Sequence, residues 1–542
     1  MKLKSFLIIV LVASMATMTL TSCQKGDFSN PNAASPSAAV PLSLIVNNVT
    51  SNLILPEELP FGNGNVYKYG QYQVSNYSKY WGTNEYGWNY SDNSYQILKY
   101  AIALENQAKA QLGTTNNKYF AVAKFLRAYS AVWLSQRVGD IPMTQAGDPS
   151  NITPVFDEQK VVYKNVLALL DTANTIMAGI NSTASFQGVA LDAGDIFGLT
   201  NLQWQKLFNT YKLRVLISLS KRADDNADLK IKEQFAAIVT NPTTYPIMTS
   251  TSDNMVYKFN STNLYPNWLY GNNAYNNFQN IGKPIMDITT ANADPRTYLY
   301  ACPASAQLAA PNSKTISDFT AYVGADSKLS LSALSTASST GAISNVNGLR
   351  YFASGYVASN TLNTYEPFVF IGYSEMCFNI AEGINRGWAP TLTATNAKTY
   401  YDNGIAASFK NLGLSTTASS SVTISDVTGK SLGTVTTDNA TFLSKVAYNT
   451  ASASDALVQI LKQKYVSMFM NSGYEAFFNA RRTGIPQLSS GGAGTGTTTG
   501  AIPRRWLYPL SEINYNADNY KASIGSQYGG TDDVTKDMWL IK

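Results

Sequence analysis

The stretch Tyr119 to Val138 places Phe125, Tyr129, Val132 and Trp133 at i, i+4, i+7 and i+8, and the pattern stops at Gly139-Asp140-Ile141-Pro142. That spacing lines the four side chains along one face of a helix, and the Gly and Pro end it. Similar periodicity recurs over Asp157 to Met177, Leu202 to Arg222, Phe368 to Ile384, Lys398 to Leu412 and Asp455 to Asn471. Each apolar face needs a partner, so the core is built by packing helix on helix. Between these runs, 327–345, 415–438 and 489–500 are rich in Ser, Thr and Gly and read as surface loops or short hairpins. The pattern predicts a mainly α chain folded as a single discontinuous domain over 42–542. A helical scaffold spans about 42–240 and 360–485, a loop-rich irregular lobe with a few short strands spans about 240–360, and 486–542 forms a C-terminal segment.

Ahead of this body, Lys2 and Lys4 precede an apolar run that begins at Phe6 and is too short to cross a bilayer, which needs about 20 residues. It ends in Leu20-Thr21-Ser22-Cys23, small residues before a cysteine, as in a bacterial lipobox. Residues 1–22 are thus read as a lipoprotein signal peptide, with Cys23 as the lipid attachment point, since only a thiol can form the thioether. Residues 23–41, rich in Asn, Pro, Ser and Ala, read as a flexible tether. No other stretch reaches 18 apolar residues, so the chain is expected to be anchored to the membrane rather than to span it. Cys302 and Cys377 could form at most one disulfide, and Cys377, inside an apolar helical run, reads as a buried free thiol.

The chain has no histidine. Ser-His-Asp and Cys-His nucleophile systems and HExxH zinc sites are therefore excluded, leaving carboxylates, Tyr or Lys for any catalysis. No metal or cofactor motif is present. The net charge of +5 over 542 residues, with no basic run interleaved with aromatics, argues against nucleic acid. Charged residues are 14% of the chain and aromatics 12%, a composition suited to neutral ligands.

Between residues 61 and 100 stand twelve aromatic residues, where the chain-wide 12% predicts about five. Sugars bind by laying an apolar C–H face on an aromatic ring while amides and hydroxyls bond the rim, and YWGTNEYGWNY (80–90) supplies that mixture. A second stretch, YPNWLYGNNAYNNF (265–278), repeats it in the loop-rich lobe. Tyr80, Trp81 and Tyr86 from the first and Trp268, Tyr270 and Tyr275 from the second are the candidate ligand-binding residues. Trp88 and Tyr95 lead into a helical period and are assigned to the core.

A set of motifs in fixed order carries a family resemblance: Asn30-Pro31-Asn32 behind the lipobox, KFLRAYSAVWLSQRVGDIP (124–142), Trp204-Gln205-Lys206-Leu207 with Arg214, and Asp294-Pro295-Arg296. FVFIGYSEMCFNIAEGINRG (368–387), GYEAFFNARRTGIPQL (473–488) and IPRRWLYPLSEINYNADNY (502–520) complete it. Together they resemble the SusD/RagB family of outer-membrane nutrient-binding lipoproteins over nearly the whole chain after the signal. The resemblance implies helix pairs similar to tetratricopeptide repeats, a loop-rich lobe carrying the ligand site, and a place on the outer face of the outer membrane. It also implies a SusC-like TonB-dependent transporter as partner. The expected function is non-enzymatic capture of oligo- or polysaccharide and its delivery to that transporter. The family also contains peptide-capturing members, so an oligopeptide ligand is the first alternative, and a carboxylate-based surface glycosidase the second. Arg127, Arg214, Arg481 and Arg482 are expected to pin helices together through carboxylates and backbone. Glu375 and Glu382, seven apart on one helical face, are expected to pair with those arginines.

Overall fold

Asn117 opens the central helix: its side chain accepts the Phe120 N–H at 2.9 Å, and Lys118–Val138 follows. The helix stops at Gly139, where φ is +95° and an added Cβ would lie 2.1 Å from Gln527 Oε1, so only glycine fits. The structure, a computed structural model, describes residues 39–53, 66–76, 94–148, 150–258, 279–347, 350, 366–492 and 500–542. The chain divides into Met1–Pro41 and one compact unit, Leu42–Lys542.

Neighbouring helices pack in succession. Ser94–Leu112 lies on Lys118–Val138, which lies on Gln159–Asn181, which in turn packs on Asn201–Ser218. Tyr373–Asn385 joins the row through Asn201–Ser218 and packs on both Ala394–Asn411 and Ala453–Ser467. This is the mainly α, paired-helix scaffold expected.

Two expectations change. The central helix is not amphipathic, because every residue from Ala128 to Val138 is buried. Buried polar groups on it pack inward: Gln159 Nε2 donates to the Ser135 carbonyl at 2.9 Å, and the Arg137 guanidinium lies 3.4 Å from the Trp133 ring centre and 4.1 Å from that of Tyr474. The run Phe368 to Ile384 is not one helix. Phe368–Ile371 forms strand β4, and Tyr373–Asn385 begins after Gly372. Four consecutive apolar residues suit a strand buried on both faces as well as a helix turn, and pairing with another strand decides it.

Among the described residues the strands form three two-stranded ribbons, all antiparallel. β1 (Gln73–Ser75) pairs with β3 (Gln279–Ile281), β2 (Met255–Tyr257) with β4, and β5 (Ser421–Ser425) with β6 (Ser431–Thr436). The last is a hairpin inside the 415–438 stretch. The 327–345 stretch, read as loop, holds the helix Leu331–Ser339, started by the Ser330 hydroxyl accepting from Ala333 N. The C-terminal segment returns to the central helix: Trp506 N donates to the Arg137 carbonyl at 2.8 Å, Tyr528 OH to that of Val138 at 2.9 Å and Tyr508 OH to that of Asp140 at 2.6 Å.

Cys302 and Cys377 are both buried and are not joined by a disulfide. Among the described residues, no helix is long and apolar enough to cross a membrane, and no group of three His, Cys, Asp or Glu side chains could hold a metal ion.

Candidate functional site

The arginines belong to the scaffold. Arg214 donates from Nε to Glu375 Oε1 at 2.6 Å and from Nη2 to Oε2 at 2.5 Å. Arg482 makes the same two-pronged bond to Glu382, at 2.6 and 3.0 Å. Arg481 donates to the carbonyls of Gln136 and Arg504, and Arg127 to Glu105 at 2.8 Å. Arg296 and Asp294 pair with no exposure at all, and Arg296 also reaches Gln463. Burial pushes the Glu382 carboxyl up, but Arg482, Lys464 and Arg386 outweigh it and hold the group at about 2. Glu375 and Glu382 are thus buried and committed to arginines, and do not form a carboxylate pair facing a cleft.

A different arrangement occurs at the open end of the β1–β3 ribbon. The ladder pairs Gln73 with Ile281, Val74 with Asn280 and Ser75 with Gln279. Just beyond it, Asn76 Nδ2 donates to Asn280 Oδ1 and to Ser338 Oγ, both at 2.8 Å, while Asn280 Nδ2 donates to the Ser344 carbonyl at 3.2 Å. Asn76 and Asn280 are buried, so this amide chain fixes the ribbon end against Leu331–Ser339 and residues 344–346. Val74 packs beneath it with Ala325, Leu334 and Ile343 in a small core of its own.

Over this base lies a hollow of about 430 Å³, walled by Asn76, Ser305, Ser338 and Asn345, with Cys302 at one side and Asp426 on the β5–β6 turn. Its polar groups are chiefly amides and hydroxyls. Slight burial pushes the Asp426 carboxyl up, but the Thr428 hydroxyl and the amides of Thr428 and Lys430 bring it below the ordinary range. Apart from Asp426, such a wall has the donors and acceptors to hydrogen-bond neutral hydroxylated molecules.

The ladder also sets where the aromatic stretches join the fold. The chain leaves β1 at Asn76 toward 77–93 and enters β3 at Gln279 from 259–278, and Ser75 and Gln279 are ladder partners. Both stretches therefore attach at one end of one ribbon, beside the hollow. Tyr80, Trp81, Tyr86, Trp268, Tyr270 and Tyr275 lie outside the described residues, as do Trp88 and Cys23. Of the twelve aromatics between 61 and 100, Tyr67, Tyr69 and Tyr72 are core residues. Tyr69 stacks on Tyr474 and Tyr72 on Tyr465. Tyr95 packs half-buried against the core.

Sequence reasoning missed Asn76, Asn280, Ser338 and Asn345, which sit in no periodic pattern. It also passed over 351–365, where Tyr351, Phe352, Tyr356 and Tyr365 follow soon after Asn345, the bridge partner of Asn280. The usable signal was compositional, a third aromatic and Asn-bearing stretch.

A helical scaffold with a hollow walled chiefly by amides and hydroxyls, beside which two aromatic stretches join the fold, suits a nutrient-binding protein. Residues 40–509 match the SusD-like family described as starch-binding and associating with the outer membrane, and the chain belongs to that family. A SusD homologue from Bacteroides fragilis shares 26% identity over 92% of this chain and 100% of its own, with a TM-score of 0.73. A second from Bacteroides fragilis shares 24% over 92% and 99%, at 0.71. A chitin-binding SusD homologue from Flavobacterium johnsoniae shares 20% over 92% and 97%, at 0.65. No curated protein matches the chain. The family is one of binding proteins, not of catalysts, and its members associate with the outer membrane.

Proposed function

We propose that this chain is a cell-surface lipoprotein, anchored through Cys23, that binds oligo- or polysaccharide and passes it to a SusC-like TonB-dependent transporter without chemical change. The observation that carries the reading is the pairing of Ser75 with Gln279, which joins both aromatic stretches to the fold at one point beside the hollow. Tyr80 and Trp81 follow Asn76 by four and five residues, and Tyr275 precedes Gln279 by four. In the proposed mode, rings of these stretches stack on one sugar chain while hydroxyls and amides lining the hollow bond its hydroxyl groups. Family membership supports capture at the outer membrane, and the chitin-binding relative supports a β-linked aminosugar polymer as the first ligand to try. Delivery requires release, and binding in the mM to µM range, about −4 to −8 kcal/mol, permits it.

The test is affinity electrophoresis and calorimetry of the chain starting after Cys23, against chitin oligosaccharides, plant, fungal and bacterial polysaccharides and a peptide mixture. Binding to a glycan recovered unaltered supports the reading. Binding of peptides alone would favour an oligopeptide-capturing protein, and shortened glycan products would establish a glycosidase.

A further inference from the structure

A second cavity, of about 500 Å³, lies between Gln159–Asn181, Asn201–Ser218 and Ile231–Thr240, and shares no lining residue with the hollow described above. Its chemistry is the opposite. Its lining holds six charged side chains, three of each sign, and a single aromatic ring, Tyr245. Apolar floor is supplied by Leu167, Leu229 and Ile238, all buried.

On one wall stands Lys212, whose side chain is only 4% exposed, with Nζ 2.5 Å from Asp171 Oδ1. Burial lowers its pKa and Asp171 opposes that shift. An ammonium has three donors, and among the described residues Asp171 takes one of Lys212's, leaving two for a ligand. Asn174 locks this wall. Its Oδ1 accepts from Gln205 at 3.1 Å and Asn209 at 2.9 Å, and its Nδ2 donates to the Thr244 carbonyl at 3.2 Å. From the Ile231–Thr240 helix comes Glu233, an exposed carboxylate that makes no ion pair among the described residues.

A buried cation, a separate carboxylate and an apolar floor in a pocket of small-molecule size match a molecule carrying both charges and an apolar side chain. Asp171 already gives Lys212 one counter-charge, and the remaining donors of the ammonium suit a ligand carboxylate, whereas a neutral sugar would find a single ring to stack on. We propose that this cavity is a second binding site, for a free amino acid or short peptide, with the ligand carboxylate on Lys212 and its ammonium toward Glu233. It goes beyond glycan capture and stands whether or not that reading holds.

The test is calorimetry on the full chain in detergent, with L-alanyl-L-leucine and leucine as probes beside their N-acetylated and C-amidated forms. The expected result is binding of the free forms tighter than about 1 mM, weakened at least about tenfold by either block. Lys212→Met should abolish binding of the free dipeptide. Glu233→Gln, at an exposed position that leaves the fold intact, should weaken the free dipeptide and leave the N-acetylated one unchanged. No binding of any probe tighter than about 1 mM, or binding indifferent to both blocks and to Glu233→Gln, overturns the proposal.

Discussion

Replacing Glu382 by Gln removes the carboxylate on which three cations converge. Arg482 lies at 2.6 Å, Arg386 at 2.9 Å and Lys464 at 3.9 Å, and Glu382 itself has no exposure. Arg482 and Lys464 would be left buried with their main counter-charge gone, which costs about 3 to 5 kcal/mol. Unfolding entropy of about 2.1 cal/mol/K per residue over the body Leu42–Lys542 gives about 1 kcal/mol/K, so Tm should fall by about 3 to 5 °C at pH 7. The pH dependence is a sharper check. Glu382 is depressed from its ordinary 4.5 to about 2, so its contribution is fully present above pH 4.5 and disappears as pH falls through 2. The gap between the two values corresponds to about 3 kcal/mol, of which about 2 kcal/mol is already lost at pH 3. Thermal melts of both proteins from pH 7 to pH 3 should therefore converge by about 2 °C. Equal Tm values at pH 7, or a difference that does not narrow on acidification, would refute the reasoning.

Asp140 should behave with the opposite sign. Burial raises its carboxyl to about 7, so the ionised form destabilises the fold above that pH and the penalty vanishes below about 4. Asp140→Asn, which can still accept the Gln159 N–H, should raise stability at pH 8 by about 2 kcal/mol and change little at pH 4, as denaturant titrations will show. Arg137→Lys loses the flat stack on Trp133 and Tyr474 and should cost about 1 to 2 kcal/mol, visible as a lower melting temperature. Asn280→Ala unties the ribbon end from Asn76 and Ser344, and should weaken glycan binding about tenfold in affinity electrophoresis. Cys23→Ala should abolish incorporation of labelled fatty acid into the protein in bacterial cells.

Helices buried along one face were legible because that burial imposes a 3.6-residue period. Gln159–Asn181 and Ala453–Ser467 each fall within a few residues of the run that predicts them, and Lys118–Val138, buried all round over its second half, was bounded instead by its length and the Gly and Pro that follow it. Boundaries failed where a tertiary partner decides. Phe368–Ile371 is a strand because Met255–Tyr257 pairs with it, a partner more than a hundred residues away that no local pattern reveals. Leu331–Ser339 escaped notice because a helix of Ser, Ala and Thr with one buried Leu334 has almost no apolar period. At the site, composition pointed to the two aromatic stretches. The pairing of Ser75 with Gln279, and the Asn76, Asn280 and Ser338 bonds that brace it, depend on long-range register that composition does not encode.

The most direct test of glycan capture at the ribbon end is affinity electrophoresis of the chain after Cys23 through gels containing each polysaccharide, with Trp81→Ala and Trp268→Ala run beside the parent. Retardation by one glycan, lost in both variants while each keeps the parent melting temperature, is the predicted result. Retardation unchanged in both variants would place the ligand elsewhere and contradict the account.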